Sequence, residues 1–137
     1  MDAQNLAYAL TQVAHNFGAA MVVGSAVFAR WPVPQTADSG RKLAWLALAG
    51  WALQGMTGAG FGAISYAYYG HFPDIHGIAV AALLLKMSCA AAGFLLAAAY
   101  LRFADGWPEA RRHAAWNGLI ALAATALTAA AFLRWFS

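Results

Sequence analysis

Two basic side chains lie inside long apolar runs of this sequence, where an ionisable group has few partners. His15 lies within "QVAHNFGAA", and Lys86 interrupts "VAALLLKMSCAAAG". An imidazole can bind haem iron or another metal, and an amine within an apolar run can exchange a proton or contact an anion. No acidic residue lies within an apolar run, so we expect no internal salt bridge to Lys86. The five acidic residues are Asp2, Asp38, Asp74, Asp105 and Glu109.

The composition decides the solvent in which these two residues must act. The chain has 137 residues, of which 63% are hydrophobic and 9% charged, and its mean hydropathy is +0.59. A soluble domain carries about a quarter charged residues. We therefore predict an integral membrane protein. The apolar runs are continuous and rich in Ala and Leu, whereas the strands of a membrane β-barrel alternate, so a barrel is excluded on pattern.

Four apolar runs are long enough to cross a bilayer as helices, which takes about 20 residues each. They lie at about residues 5–29, 43–68, 75–101 and 113–136. The connections between them are short and contain Pro, Gly and Asp, which favour turns. The sequence therefore predicts an all-α fold, an up-down four-helix bundle that forms a single transmembrane domain over residues 1–137.

The basic residues predict how the bundle is oriented. The first connection carries Arg30, Arg41 and Lys42, and the third carries Arg102, Arg111 and Arg112. The positive-inside rule then places both termini outside the cytoplasm, in a multi-pass protein of the cell inner membrane. The N-terminus lacks the basic segment of a signal peptide, so we expect the first span to be retained. No basic cluster lies on a soluble face, so nucleic-acid binding is not expected.

Small and polar residues at spacings of three and four predict the inward face of each helix. The first stripe is Thr11, His15, Gly18, Val22 and Ser25, and the second is Gln54, Gly58, Gly62, Ser65 and Tyr69. The third is His76, Ala79, Leu83, Lys86, Ala90, Gly93 and Ala97, and the fourth is His113, Asn117, Ala121, Ala124 and Thr128. The glycine-rich stretch "GMTGAGFG", residues 55–62, is interpreted as a close-packing surface.

Counting residues from the predicted outer surface places the two basic groups in one layer. His15 lies about 10 residues in and Lys86 about 12, at a rise of about 1.5 Å per residue. Both belong to predicted inward stripes, so we expect His15 and Lys86 to face one shared pocket.

Three roles are open to Lys86. In the first role it is a neutral amine bonded to Gln54, Asn16 or Tyr66. In the second role it faces an anionic group of a bound cofactor, such as a haem propionate, or acts on a quinone or porphyrin. In the third role it lines a water path, or a subunit interface where another chain supplies the carboxylate.

His15 is the predicted cofactor and metal ligand. One b-type haem is expected with His15 as axial ligand and with Met87, Met56 or an open position opposite. His76 is the next candidate ligand, and Gln54 is a candidate polar contact in the same pocket. Soft side chains in the same layer also allow a copper(I) site, formed by His15, Met21, Met56, Met87 and Cys89. His71 and His76 either form a surface cluster with Asp74 or are simply solvated.

The first span, "VAHNFGAAMVVGSAVFARWP", resembles the opening helix of two related groups of small membrane proteins. These groups are the copper-resistance D-type proteins and the four-helix, haem-containing protoporphyrinogen oxidases. The resemblance implies porphyrin or haem chemistry, with a functional first-helix His and third-helix Lys at His15 and Lys86. This chain lacks the first-helix tryptophan of the pattern and has Ser25 where a second glycine is common. Lys86 also lies deeper in its helix.

Two classes of function follow. The first is a small redox protein that binds one haem, porphyrin or quinone and either transfers electrons or oxidises a porphyrinogen, so that Lys86 would be catalytic. The second is a non-catalytic accessory or anchor subunit of a respiratory membrane complex, or a small-solute or metal transporter. Membrane lipid is a partner in both cases, and a homo-oligomer or a larger complex is open in both.

Overall fold

A computed structural model describes residues 2–31 and 36–137 and consists of four long α-helices. They are α1 (Ala3–Arg30), α2 (Ala37–Tyr69), α3 (Ile78–Phe103) and α4 (Glu109–Phe136). A single 3-10 turn, Ala104–Gly106, follows α3, and the described residues contain no strand. The all-α prediction is therefore confirmed. Residues 32–35, in the proline-containing connection that we predicted to be a turn, lie outside the described residues.

The predicted third span begins three residues too early, and the glycine before α3 explains why. Gly77 has a φ of +53°, and the segment that contains Ile75 and His76 is not helical. A left-handed residue interrupts helical hydrogen bonding, so α3 starts only at Ile78. Gly70, with a φ of +75°, ends α2 in the same way. The connection between α2 and α3 thus has a left-handed glycine near each end.

Neighbouring helices run antiparallel, as the short connections predicted. Near the chain terminus Gln4 donates a hydrogen bond to Tyr69, and in the middle of the same helix pair His15 contacts Thr57. Similar contacts join the other neighbouring helices. Trp51 of α2 lies against Gly93 of α3, and Tyr100 of α3 lies against Trp116 of α4. Arg30 of α1 binds Asn117 of α4. The packing is most extensive within the α1–α2 pair and within the α3–α4 pair. The result is an up-down four-helix bundle.

The core occupies one half of this bundle. Its buried side chains come from residues 22–29 of α1, 44–51 of α2, 89–100 of α3 and 115–123 of α4. This half, from the core to the connections at its end, is called the packed half. The other half, which contains both chain termini, is called the terminal half. All four helices meet in the packed half, so this half fixes the positions of the helices at the level of the candidate site.

Close helix packing depends on glycines in the packed half. A Cβ at Gly93 would overlap the indole ring of Trp51, lying 2.6 Å from its Nε1, and a Cβ at Gly50 would lie 2.9 Å from the Cβ of Met21. The prediction for residues 55–62 is largely wrong, because no atom lies within 4 Å of a Cβ built at Gly55 or Gly58. Among the glycines of that stretch, only Gly60 and Gly62 lie close to a neighbour: a Cβ would be 3.4 Å from Thr11 at Gly60 and 3.6 Å from Phe72 at Gly62.

The predicted inward stripes of α1 and α3 are confirmed, apart from His76. Gly18, Val22 and Ser25 are buried on α1, while Thr11 and His15 are half-buried. On α2, Ser65 is buried as predicted and Tyr69 is not, and Thr57 is buried in place of the predicted Gly58. The glycine spacing had indicated the wrong member of this adjacent pair.

The predicted stripe of α4 is wrong. Asn117, Ala121, Ala124 and Thr128 are exposed, and the inward face is formed by Trp116, Leu119 and Ala123. The Thr128 hydroxyl donates to the carbonyl of Ala124 at 2.9 Å. Because a threonine can satisfy its hydroxyl within its own helix, it does not need to face the bundle interior. Large apolar side chains fill the core instead.

Two of the described helices are long and apolar enough to cross a membrane, judged by length and composition. These segments are Ile78–Gly106, with a mean hydropathy of 2.0, and Glu109–Phe136, with a mean hydropathy of 1.7. Only 22% and 17% of their most apolar stretches are buried within the protein. The core helix of a soluble protein is mostly buried, so α3 and α4 are unlike such helices.

Candidate functional site

His15 and Lys86 are in direct contact, as their shared layer predicted. The Nζ atom of Lys86 lies 3.0 Å from Nε2 of His15, and both side chains are partly buried. His15 belongs to α1 and Lys86 to α3, so the contact crosses between the α1–α2 pair and the α3–α4 pair. These two residues, called the Lys86–His15 pair, form the candidate site.

Thr57 of α2 fixes the orientation of the imidazole. Its hydroxyl oxygen lies 2.6 Å from Nδ1 of His15 and also 2.6 Å from the carbonyl oxygen of Leu53. A carbonyl can only accept, so the Thr57 hydroxyl donates its proton to Leu53 and accepts from Nδ1–H of His15. Nε2 then carries the lone pair, and the Lys86 amine donates to it. The hydrogen bonds assign a neutral imidazole of one tautomer.

Gln54 and Phe61 hold the helix pair around His15. The side-chain amide of Gln54 donates to the backbone carbonyl of His15 at 2.6 Å, and the Phe61 ring meets the imidazole edge-on at 5.6 Å between centroids. A Cβ at Gly18 would lie 2.9 Å from Nε2 of Gln54, so this glycine makes room for the amide. Gln54 lies beside His15, where it binds the backbone of α1, and its contact with a cofactor stays a prediction.

Lys86 has no acidic partner in the part of the chain that the structure describes. The ion pairs found there all lie near the helix ends or in the connections: Arg41 with Asp105, Lys42 with Asp38, His76 with Asp74, and His113 with Glu109. Three other partners that we predicted for Lys86 were wrong. Asn16 accepts from Gln12, Gln54 donates to a backbone carbonyl, and Tyr66 is exposed. The observed partner of Lys86 is His15.

The structure does not bring together the other predicted ligands. The side chains of Met56 and Met87 are 72% and 59% exposed, whereas Cys89 is buried in the packed half. His76 lies in the exposed connection before α3, 3.4 Å from Asp74. Met87 follows Lys86 directly, and successive helical residues point about 100° apart, so Met87 cannot face His15. Across residues 2–31 and 36–137, no three His, Cys, Asp or Glu side chains form a metal-binding group.

The predicted haem ligation by His15 requires a rearrangement of this site. An axial ligand gives iron the lone pair of an imidazole nitrogen. In this arrangement Thr57 engages Nδ1 and Lys86 engages Nε2. The residues as folded therefore do not fit an axially ligated haem, and Lys86 would first have to leave Nε2.

The Lys86–His15 pair is suited to hold and move one proton. A proton can pass between the two nitrogens along their hydrogen bond, because each can act as a base. The path beyond His15 ends at the carbonyl of Leu53, which cannot take up a proton. Thr57 is therefore an orienting residue, and exchange with a bound molecule must take place through Lys86.

Sequence reasoning missed Thr57. The available signal was its spacing, three residues after Gln54 and four before Phe61, which places these residues on one helix face. The surrounding glycines obscured this signal.

Comparison with known protein families, with curated proteins and with solved structures found no match for this chain.

Proposed function

We propose that this protein is a small integral membrane redox protein that binds a porphyrin- or quinone-type ring beside the Lys86–His15 pair. During oxidation of that ring, the pair takes up a released proton. The observation that carries the proposal is the 3.0 Å contact between two basic side chains inside a bundle of apolar helices. Ionisable groups within apolar helices are costly, and they usually mark a functional site.

The exposed surface supports insertion of all four helices into a membrane. Large apolar side chains are exposed on every helix, for example Phe17 of α1, Leu46 of α2, Leu95 of α3 and Leu127 of α4. Such a surface is costly in water, whereas lipid tails solvate it. Aromatic side chains are exposed near the helix ends, where they match the aromatic belts of membrane proteins.

The position of the pair supports access from the terminal half. The inward stripe of α1 changes from buried at Gly18 and Val22 to half-buried at His15 and Thr11. On α3, Lys86 is half-buried between Cys89, which belongs to the core, and Ala82, which is buried outside it. The pair therefore lies where the packed core ends. A flat ring entering between the two helix pairs from the terminal half would meet Lys86 before it reaches the core.

The chemistry of ring oxidation suits this arrangement. A porphyrinogen or hydroquinone loses protons as well as electrons when it is oxidised, so a nearby base that accepts a proton promotes the reaction. Lys86 exchanges the proton with the ring and passes it to Nε2 of His15, while Thr57 keeps the imidazole aligned. The electrons pass to a separate membrane redox partner. The resemblance of the first helix to porphyrinogen oxidases supports this proposal, because its two implied functional positions are in contact.

Ligand binding to the purified full-length protein tests the proposal. In detergent, a porphyrin and a short-chain quinone are each titrated against wild type, Lys86→Met, His15→Gln and Lys42→Met, with tryptophan fluorescence as the readout. Lys42 is the matched control, because it is an exposed lysine paired with Asp38. We expect wild type and Lys42→Met to bind one of the two ligands, and the other variants to bind it about tenfold more weakly or worse. Absence of binding to both ligands, or equal binding by all four proteins, would overturn the proposal.

An absorption spectrum separates a ring substrate from a resident haem. Protein from cells supplied with haem precursor is measured oxidised and then reduced with dithionite. The proposed site predicts no Soret band that depends on His15. A band that is lost in His15→Ala would show instead that Lys86 leaves Nε2 and that His15 binds iron.

A further inference from the structure

A second group of ionisable residues lies at the far end of the packed half, away from the Lys86–His15 pair. A cavity of about 220 Å³ opens there between the ends of the helices. Three arginines line it, each from a different helix: Arg30 from the last turn of α1, Arg41 from the start of α2, and Arg112 from the start of α4. We call this cavity the arginine pocket.

Two of these arginines are held in place by neighbouring groups. Nε of Arg30 donates to the side-chain oxygen of Asn117 at 2.9 Å, which fixes the plane of that guanidinium. One terminal nitrogen of Arg41 lies 3.4 Å from the carbonyl oxygen of Leu101 and 3.7 Å from a carboxylate oxygen of Asp105. Side chains oriented in this way lose less conformational entropy when they bind an anion.

The floor of the pocket is formed by two buried aromatic rings. Tyr100 and Trp116 are buried, and their ring centroids lie 5.0 Å apart. The two rings belong to the core, so they close the pocket toward the bundle interior. A volume of 220 Å³ accommodates a phosphate group or a lipid headgroup, whereas an acyl chain would have to remain outside.

The charge of the lining favours an anion. The pocket is lined by three arginines and two acidic residues, Asp105 and Glu109. Each acid has a partner, since Asp105 contacts Arg41 and Glu109 lies 3.5 Å from Nε2 of His113. The lining therefore carries an excess positive charge. Guanidinium groups bind phosphate oxygens in pairs of parallel hydrogen bonds, which gives this residue type an advantage over lysine at such a site.

We propose that the arginine pocket binds a phosphate-type anion, with Arg30 and Arg112 as its principal donors. The phosphate comes either from the headgroup of an anionic lipid or from a soluble phosphate compound, because both present the same oxygens to the arginines. Basic pockets between membrane helices bind lipid headgroups in this way. This site is separate from the Lys86–His15 pair and does not depend on the proposed redox activity.

The experiment measures binding by the full chain in detergent. Inorganic phosphate is titrated while the melting temperature is followed, and native mass spectrometry records retention of phosphatidylglycerol and of phosphatidylcholine. The variants are Arg30→Gln with Arg112→Gln, Arg112→Lys, and the control Arg102→Gln. Arg102 is close to the same end but lies over the Phe103 ring and does not line the pocket.

We expect wild type and Arg102→Gln to bind phosphate or phosphatidylglycerol, and the double variant to bind about tenfold more weakly or worse. Arg112→Lys keeps the charge and should weaken binding to a lesser degree, which preserves the test if the double variant does not fold. Stabilisation by inorganic phosphate identifies a soluble anion, and selective retention of phosphatidylglycerol identifies a lipid. Absence of binding to both, or equal loss in Arg102→Gln, would overturn the proposal.

Discussion

The two halves of the bundle are held together in different ways. In the packed half, side chains from all four helices form one core, with Trp51 set against Gly93 and Trp116 against Tyr100. In the terminal half, Tyr8 stacks with Phe61 within one helix pair, across α1 and α2. Among the described residues there, one side-chain hydrogen bond joins helices of different pairs, and it is the bond between Lys86 and His15.

This difference indicates that the two halves of the bundle have different roles. The packed half sets the geometry of the helices, whereas the two basic groups at its edge are only partly buried. A site that must admit a ligand cannot be packed as densely as a core, because close-packed interiors leave few voids larger than a water molecule.

The strongest test removes a core ring. Trp51→Ala is expected to destabilise the fold by about 3–5 kcal/mol, because Trp51 is a 2% exposed core residue and its removal leaves a cavity. The control is Trp45→Ala on the same helix, where the ring is 56% exposed. Thermal unfolding in detergent measures both variants. Equal losses for the two variants would contradict a core confined to the inward face of the packed half.

Two glycine substitutions compare close packing with open surface. Gly93→Ala places a methyl group on the Trp51 ring and is expected to cost about 1–3 kcal/mol. Gly58→Ala meets no atom within 4 Å, and alanine favours the helix, so a gain of about 0.5–1 kcal/mol is expected. The same unfolding assay applies. A loss of stability in Gly58→Ala would show that Gly58 does pack against another helix.

Thiol labelling compares the accessibility of the two halves. The single natural cysteine, Cys89, is buried in the packed half, so a water-soluble thiol reagent should not label the native protein. In a Cys89→Ala background, Thr11→Cys should react about tenfold faster than Val22→Cys, since reactivity requires exposure. Mass spectrometry gives both rates. Equal rates would remove the evidence for access from the terminal half.

The smallest effect concerns the orientation of His15. Thr57→Val deletes the hydroxyl that accepts from Nδ1, which is expected to cost about 1 kcal/mol and to free the imidazole to adopt the other tautomer. Thr125→Val is the control, because that hydroxyl donates within its own helix at an exposed position. Nitrogen-15 chemical shifts of the histidine ring report the tautomer. An unchanged His15 signal in Thr57→Val would rule out the assigned orienting role.

Much of the fold could be predicted from the sequence. Helix number, approximate bounds and antiparallel order follow from apolar length and short connections, because both are local properties of the chain. The proximity of His15 and Lys86 followed from equal depth along helices that run in parallel directions. This geometry is simple in a bundle, where a rise of about 1.5 Å per residue converts sequence position into height.

The predictions failed where the outcome depended on tertiary packing or on the backbone conformation of a single residue. Gly77 takes a left-handed conformation that delays the start of the third helix to Ile78, and composition alone does not distinguish such a glycine from a packing glycine. Asn117 and Thr128 of α4 were placed inward, although both are exposed and Thr128 bonds to its own helix. Thr57 was missed because neighbouring glycines carried the predicted stripe. In each case the deciding contact comes from tertiary structure or from backbone conformation.

The antiparallel pairing of consecutive helices has a consequence for how the chain assembles. Within each pair, α1 with α2 and α3 with α4, the contacting residues belong to helices that are adjacent in sequence, so each pair can form as an early folding unit. The exposed connection between Gly70 and Gly77 is the natural place to divide them. We expect two polypeptides, 1–72 and 73–137, to reassemble when they are expressed together, because the core that joins the pairs does not require this connection to be intact.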